Sequence, residues 1–542
     1  MKSPIVLLRS LFYDLKRSNP GVKGLDRDII TIKLRFKDEG FGFLTKTLPT
    51  LDEALLLGLS MRRFACPMGF KTVPGGTIPR FLSGMFCKVF DPFTGELLEK
   101  FDQCVLTDLH QVLRFFKKTR LGSDDEELLH QKAVREFVQC DGVAARVVIP
   151  DRHDHLIGRV CKLILNNLNS KEVENVTYKH GPGGVEEGFQ GNQKWRFLDD
   201  AIREDRFGHS YGIWGSWMYH SRVLRECRSN WRDDTGQRKP SSLPYPRIFA
   251  DGNNGPLLAA EPGGGIVGGL SGLRSAPMPD TGSGPNGHGF YKLVRRFHNG
   301  DTFFDMASTR SAKLTSVLKN STSRRTITIE PLLNQFVQQG LGSMLRDSIN
   351  ECRILRNCIA LTRQDLNQEL ALEGSRTGMY ATLDLKSASD LMSLRLVRSV
   401  FRHHPDFFRY VMECRSPTVA IEGSTSLAIG KFAGMGNALT FPVQSVCFAV
   451  VAIASILNSE GVNPTYRSVL RASRRIRIYG DDIIVESKYA YQVVDWLQAV
   501  GLMVNTKKSF LEGNFRESCG LEAYAGVVMT PLYIKDRPDQ TD

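Results

Sequence analysis

Two adjacent carboxylates, Asp481 and Asp482, follow Tyr479-Gly480 in an otherwise apolar stretch. Arg475-Ile476-Arg477-Ile478 precedes them and Ile483-Ile484-Val485 follows. β-Branched runs on both sides of a Gly-Asp dipeptide read as a hairpin with the acids at its tip. Carboxylate oxygens are hard ligands suited to Mg2+, and acids at one turn can both reach a divalent cation. Cations held in this way serve displacement at phosphorus, two-metal nucleotidyl transfer included. Gly-Asp-Asp by itself also describes an ordinary surface turn, so its weight depends on what the rest of the chain supplies.

Four further segments supply it. An apolar strand, Ala381-Thr382-Leu383, runs into Asp384, and Ser387-Ala388-Ser389-Asp390 offers caps for a helix through Leu391, Leu394, Val397 and Val400. This predicts Asp384 at a strand end and Asp390 in a first helical turn, where it would otherwise be only a helix-start residue. Gly434-Met435-Gly436-Asn437 precedes a long apolar helix. Glycine there lets backbone approach a sugar-phosphate closely, and Asn437 could hydrogen-bond a ribose hydroxyl; a plain loop before a buried helix is the alternative. Asn505-Thr506-Lys507-Lys508-Ser509-Phe510 is a basic turn after an amphipathic segment, 489–500. Upstream, Lys313, Lys319, Arg324 and Arg325 form a basic stretch. It leads into a strand, Thr326-Ile327-Thr328-Ile329, and a helical pattern over 332–349 with Pro331 suited to the first turn.

The elements that must position these groups belong to a chain of 542 residues, 42% hydrophobic, long enough for several subdomains. The formal net charge of +13 favours a polyanionic partner such as nucleic acid. Eleven cysteines contain no C-x-x-C pair, which reads as scattered buried thiols rather than a disulfide framework or zinc site. The apolar run Pro4-Ile5-Val6-Leu7-Leu8, ended by Arg9, is too short for a signal peptide. The apolar stretch 441–457 reads as a buried helix, so no membrane is expected. Arg152-His153-Asp154-His155 lacks partners at ligand spacing. Lys179-His180-Gly181-Pro182-Gly183-Gly184-Val185 is a turn-rich loop that could approach phosphate or be a simple turn. Residues 251–289 are dense in Gly, Pro, Ser and Asn. Gly263, Gly265 and Gly268 formally fit G-x-G-x-x-G there, but no strand precedes and no helix follows, so a loop is expected and a dinucleotide site is not.

The order of these segments (basic strand, strand-Asp-helix, Gly-Asn loop and helix, Asp-Asp hairpin, basic turn) resembles the palm of viral RNA-dependent RNA polymerases. The wording is closer still to the replicase catalytic β subunit of single-stranded RNA bacteriophages, the levivirus family. The likeness rests on Asp384-Leu-Lys-Ser-Ala-Ser-Asp390, on Met435-Gly-Asn437 with Thr440-Phe441, on Ile478-Tyr-Gly-Asp-Asp482 and on Phe515-Arg-Glu-Ser-Cys-Gly520. Tyr533-Ile534-Lys535 is also similar. The resemblance is specific over about 310–537 and diffuse upstream, apart from the loop at 180–183.

By this resemblance Asp384 and Asp481 would hold two Mg2+ ions, with Mn2+ able to substitute, and Asp482 would be a weaker or indirect ligand. Asp390 and Asn437, with Gly436 beside them, would read the ribose 2′-OH. Lys319, Arg324 and Arg325 would neutralise the incoming triphosphate. Lys508, with Lys507 as its neighbour, would donate a proton to pyrophosphate. The implied fold is α+β, a right-hand polymerase of fingers, palm and truncated thumb with an antiparallel palm sheet. Residues 1–230 would be N-terminal extension and fingers, and 231–375 fingers with the Gly-rich insertion and basic nucleotide-binding segment. Residues 376–510 would be palm and 511–542 the start of a thumb that is more substantial in the family. The stretch before Asp384 is longer than in the coliphage enzymes. Implied partners are RNA template and product, ribonucleoside triphosphates, host elongation factors Tu and Ts and a ribosomal protein, in the host bacterial cytoplasm. A reverse transcriptase would place a bulky aromatic soon after the first Asp, and Leu385-Lys386-Ser387-Ala388-Ser389 has none. Narnavirus and mitovirus polymerases are nearer alternatives, and the 515–520 segment tilts towards phage. A catalytically silent RNA-binding protein is the alternative of a different class; it would leave acids at strand ends without a task.

Overall fold

The computed structural model describes residues 4–120, 126–170, 176, 178–191, 193–194, 291–298, 301–308, 311–422 and 426–536. The Gly-rich segment 251–289 and its glycine pattern lie outside the described residues. In chain order the strands are β1 (Tyr291–His298), β2 (Asp301–Ser308), β3 (Ser311–Asn320), β4 (Ser323–Ile329), β5 (Tyr380–Lys386), β6 (Thr418–Ala420) and β7 (Leu427–Ala428). They continue with β8 (Ile476–Tyr479), β9 (Asp482–Glu486), β10 (Met503–Val504), β11 (Phe515–Ser518), β12 (Leu521–Tyr524) and β13 (Val527–Val528). Helices are interleaved throughout, so the class is α+β.

The central sheet has the order β10-β5-β9-β8, antiparallel throughout. Its β-branched residues explain it. Ile476 and Ile478 of β8 are buried, as are Ile483, Ile484 and Val485 of β9. Ile483 and Val485 join the main core, while Ile484 points to the other face and is buried there too. β8 is further covered by residues 358–360, where the Ile478 amide donates to the Cys358 carbonyl (2.7 Å).

Behind the sheet runs helix Thr440–Ser459, long and apolar enough to cross a membrane, yet 94% of its most apolar 18 residues are buried. It packs against β8 and against helices Asp151–Cys161 and Ala490–Ala499, so its apolarity is that of a core helix. A second sheet, β4-β3-β6-β7, carries the basic residues of β3 and β4 and meets helix Glu126–Ala145.

A separate core gathers the helices of residues 4–116, with Phe12, Phe43, Leu51 and Phe86 at its centre. Residues 511–536, expected to start a thumb, fold as β11-β12-β13. Phe515, Tyr524 and Met529 lie in this N-terminal core, and β11 and β12 pack on helix Asp365–Thr377.

Several expectations are corrected. The helix after Asp384 begins at Leu394, because Ser393 is the cap and its hydroxyl accepts the Leu396 amide (3.1 Å). Asp390 therefore lies in the preceding turn and not in a first helical turn. Pro331 is the residue before helix Leu332–Glu351 and not in its first turn. The thiols are mixed: Cys161, Cys358, Cys414 and Cys447 are buried, but Cys87 and Cys104 are exposed. Asp154, one of the doubtful metal candidates, is taken by Arg402 and Ser399, and the His153 ring lies tilted against Trp496 at 4.2 Å. The 179–185 loop is packed in place: the His180 ring lies 4.9 Å from Phe336, and Lys194 donates to the Gly181 carbonyl (2.7 Å).

Candidate active site

Antiparallel pairing of β5 with β9 sets Asp384 opposite Asp482. The β8–β9 hairpin closes through a two-residue turn, Gly480-Asp481, with Tyr479 opposite Asp482. Gly480 has φ +61, and a Cβ there would lie 2.6 Å from the Phe441 ring. Glycine is required twice over, by conformation and by the close approach of helix Thr440–Ser459. The turn thus lifts Asp481 clear of the sheet, and Asp481 is exposed.

Nine of the ten residues proposed from sequence line one cavity of about 610 Å3. Asp384 and Asp481 come from the sheet, Lys319, Arg324 and Arg325 from the β3–β4 hairpin, and Lys508 from the basic turn. Asp390 comes from the turn after β5, and Gly436 and Asn437 from the loop before helix Thr440–Ser459. The tenth, Asp482, does not line it. Successive strand residues point to opposite faces, and Asp482 turns towards Ser518 (3.5 Å). Burial, then the charge of Asp481, pushes its carboxyl up to about 6. The expectation that both acids of the turn face one cation is not met here. Among the described residues no three His, Cys, Asp or Glu side chains converge on a metal position. The cavity instead offers the strand-end carboxylates Asp384 and Asp481, with Asp390 and Glu136 elsewhere on its wall, and the first two are an oxygen donor set that fits a hard divalent ion retaining waters.

The charges in the cavity are balanced. Burial raises the Asp384 carboxyl, opposed by Lys508 and by Asn505, whose side-chain amide donates to Asp384 Oδ2 (2.6 Å). Burial and the neighbouring Arg325 and Lys508 lower the Lys319 ammonium, while Asp384 and Asp481 act the other way. Lys508 is held above the ordinary lysine range, first by Glu517 (3.7 Å) and then, against burial, by Asp384. Lys507 points elsewhere, to Glu53 (3.3 Å).

The two arginines differ. Arg324 is committed: its guanidinium donates to Ser316 Oγ (2.7 Å) and the Ser316 carbonyl (2.9 Å) and meets Glu126 (3.3 Å). Arg325 is exposed at the cavity. Gly436, at φ +124, docks on β4, where a Cβ would meet the Thr328 carbonyl oxygen at 2.1 Å. Asn437 Oδ1 accepts the Leu439 amide (2.9 Å), and its side-chain amide bonds the buried Glu330. Glu330 also accepts from Ser416 (2.7 Å) and Gln338 (3.1 Å), which ties the end of β4 to this loop.

Sequence reading missed the contribution of helix Glu126–Ala145. Its Glu136 and Phe137 line the cavity, and Glu136 accepts from Ser387 (3.2 Å). It also missed Asn505 as a partner of Asp384, although Asn505 opens the basic turn already singled out. Lys431, which pairs with Asp390, gave no signal, being one lysine in an apolar loop.

Comparison with known proteins follows the same residues. A family model described as RNA replicase, beta-chain, matches residues 291–541. The RNA-directed RNA polymerase subunit beta of Escherichia virus Qbeta is 38% identical over 229 residues, covering 42% of this chain and 35% of that protein. The RNA-directed RNA polymerase beta chain of Escherichia phage MS2 is 36% identical over 224 residues, covering 41% and 38%. The chain thus spans little more than a third of the length of these relatives. Among solved structures, the RNA-dependent RNA polymerase of a human picorbirnavirus overlaps 45% of this chain and 48% of its own, at TM-score 0.31 and 13% identity, too loosely to bear an argument. The resemblance read from the motifs holds: over residues 291–541 this chain is similar to the RNA replicase β-chains of RNA bacteriophages.

Proposed function

We propose that this chain is an RNA-dependent RNA polymerase that copies single-stranded phage RNA from ribonucleoside triphosphates, built as a right hand around the β10-β5-β9-β8 palm sheet. The observation that carries the reading is the convergence of nine residues from five separate segments on one cavity lined by both acids and cations. In this reading residues 376–510 are palm, those before are extension and fingers, and 511–542 begin the thumb.

Asp384 and Asp481 would hold two divalent ions, Mg2+ with Mn2+ able to substitute. When bound, these lower the pKa of the primer 3′-OH and stabilise the leaving pyrophosphate. The chain's own residues do the rest. Asn505 fixes the Asp384 carboxylate through Oδ2. Arg325 and Lys319 receive the triphosphate, and Arg324 stiffens the hairpin that presents them. Lys508 Nζ, kept protonated by Glu517 and Asp384, gives its proton to the departing pyrophosphate oxygen. Asp390 and Asn437 hydrogen-bond the ribose 2′-OH, the group that separates ribo- from deoxyribonucleotides. Asp482 acts indirectly, by placing Asp481.

RNA template and product would follow the positively charged surface, in keeping with a net charge of +13. Host elongation factors Tu and Ts, a ribosomal protein and the host bacterial cytoplasm remain part of the proposal by family resemblance. The test is primed extension on an RNA template with Mg2+ or Mn2+, comparing the two nucleotide types. Incorporation of ribonucleotides supports the reading; preferential incorporation of deoxyribonucleotides contradicts it.

A further inference from the structure

We propose that Lys431 is a positioning residue for Asp390 and, through it, a determinant of ribose selectivity. This rests on the reading of Asp390 given above. The Lys431 side chain is fully buried, while that of Asp390 is 14% exposed at the cavity wall, and Nζ donates to Asp390 Oδ1 at 2.7 Å. The ammonium also sits 3.2 Å from the centre of the Phe137 ring, which stabilises the cation where water is absent.

The backbone that carries Lys431 is fixed from several directions. The amides of Gly430 and Lys431 donate to the Asp141 carboxylate (3.0 Å each). Buried Arg415 donates to the carbonyls of Ile429 (2.7 Å), Lys431 (2.7 Å) and Phe432 (2.6 Å). The Phe432 amide donates to the Met392 carbonyl (2.8 Å), which joins this loop to the turn bearing Asp390. Gly430 lies so close to helix Glu126–Ala145 that a Cβ would meet the Ala145 Cβ at 2.4 Å.

A buried cation on an immobile loop is thus held against one oxygen of one carboxylate. Asp390 lines the cavity, and its Oδ2 has no hydrogen-bond partner among the described residues. Lys431 therefore orients the carboxylate: by holding Oδ1 it fixes where the second oxygen sits. An acceptor aimed at one point discriminates for a hydroxyl donor there; a swivelling one discriminates less.

The experiment measures kcat and KM for single ribo- and deoxyribonucleotide incorporation by the full chain and by Lys431→Met, Lys431→Arg, Asp390→Asn and the double Lys431→Met/Asp390→Asn. Lys431→Met should lower the ribo-to-deoxyribo ratio of kcat/KM by about tenfold, the size of one charge-assisted hydrogen bond. The loss should lie in KM for the ribonucleotide, with deoxyribonucleotide kinetics unchanged. Lys431→Arg should restore part of it, and the double variant should be no less selective than Asp390→Asn. An unchanged ratio in Lys431→Met beside a lowered ratio in Asp390→Asn overturns the role of Lys431 alone. An unchanged ratio in Asp390→Asn overturns the reading of Asp390 and this inference with it. Should Lys431→Met not fold, Phe137→Leu removes the ring face from the ammonium while keeping an apolar side chain. A ratio lowered about threefold supports the proposal, and an unchanged ratio overturns it.

Discussion

Two clusters in this molecule use the same residue types to opposite ends. Between the N-terminal helices and β12, Asp52, His110, Arg114 and Glu522 are almost wholly buried and bonded to one another. His110 Nδ1 meets Asp52 (2.5 Å), its Nε2 meets Glu522 (2.7 Å), and Arg114 reaches both carboxylates. Burial alone would push the His110 imidazole down, but the two carboxylates outweigh it and pull it up to about 9. In the cavity, Asp384 and Asp481 face open space beside Lys319 and Lys508, and burial raises Asp384 despite its cationic neighbours. Charges that complete one another hold two bodies together; charges left facing a cavity are available to a ligand.

Neutral isosteres should separate the two. Asp384→Asn should cut primed extension at least about 1,000-fold, the scale of losing a catalytic ligand. It should not lower Tm, because a carboxyl whose pKa is raised by folding costs stability when ionised. Asp52→Asn should instead cost about 3–5 kcal/mol in urea unfolding, since it leaves Arg114 and His110 buried with half their partners. Equal Tm losses in both variants would erase the distinction.

The pH dependence sharpens it. His110 rises on folding from 6.5 to about 9, so its stabilisation is full below about 6.5 and is lost as pH climbs through 9. Asp52 and Glu522 are lowered on folding, so their contribution is present above their ordinary values of 3.8 and 4.5 and is lost as pH falls below them. Thermal unfolding should therefore show the network strongest between about 4.5 and 6.5, with a decline from 6.5 to 9 that His110→Gln flattens. An identical slope in that variant would assign the decline to other groups.

Smaller effects belong to the supports. Gly480→Ala should cost about 1–3 kcal/mol and more activity than stability, because strain and the Phe441 ring act on the turn that bears Asp481. Arg325→Ala should raise KM for ribonucleotides several-fold and leave Tm alone. Arg324→Ala should do the reverse, since its guanidinium is spent on Ser316 and Glu126. Matching KM changes would show that the two are not divided in this way.

How much was legible follows from the range of the interactions. The hairpin at 476–486, the strand before Asp384 and the core helix 440–459 rest on local pattern, and each formed. The late start of the helix at Leu394 was legible only in part, because Ser387, Ser389 and Ser393 are all competent caps and the last is the one whose hydroxyl accepts the Leu396 amide. The turn of Asp482 away from the cavity follows from strand alternation and was available in the sequence. Glu136, Phe137 and Lys431 were not: Glu136 meets Ser387 across 251 residues of chain, Phe137 meets Lys431 across 294 and Lys431 meets Asp390 across 41, through packing that no local pattern encodes. The closed Asp52–Glu522 network was invisible for the same reason.

The most direct test of the account is single-turnover ribonucleotide incorporation by Asp481→Asn beside Asp482→Asn, on one primed RNA template. The geometry puts the first carboxylate in the cavity and the second behind it. The account predicts no detectable product from Asp481→Asn and a rate within about tenfold of the parent from Asp482→Asn. Equal loss in the two variants, or full activity in Asp481→Asn, would contradict it.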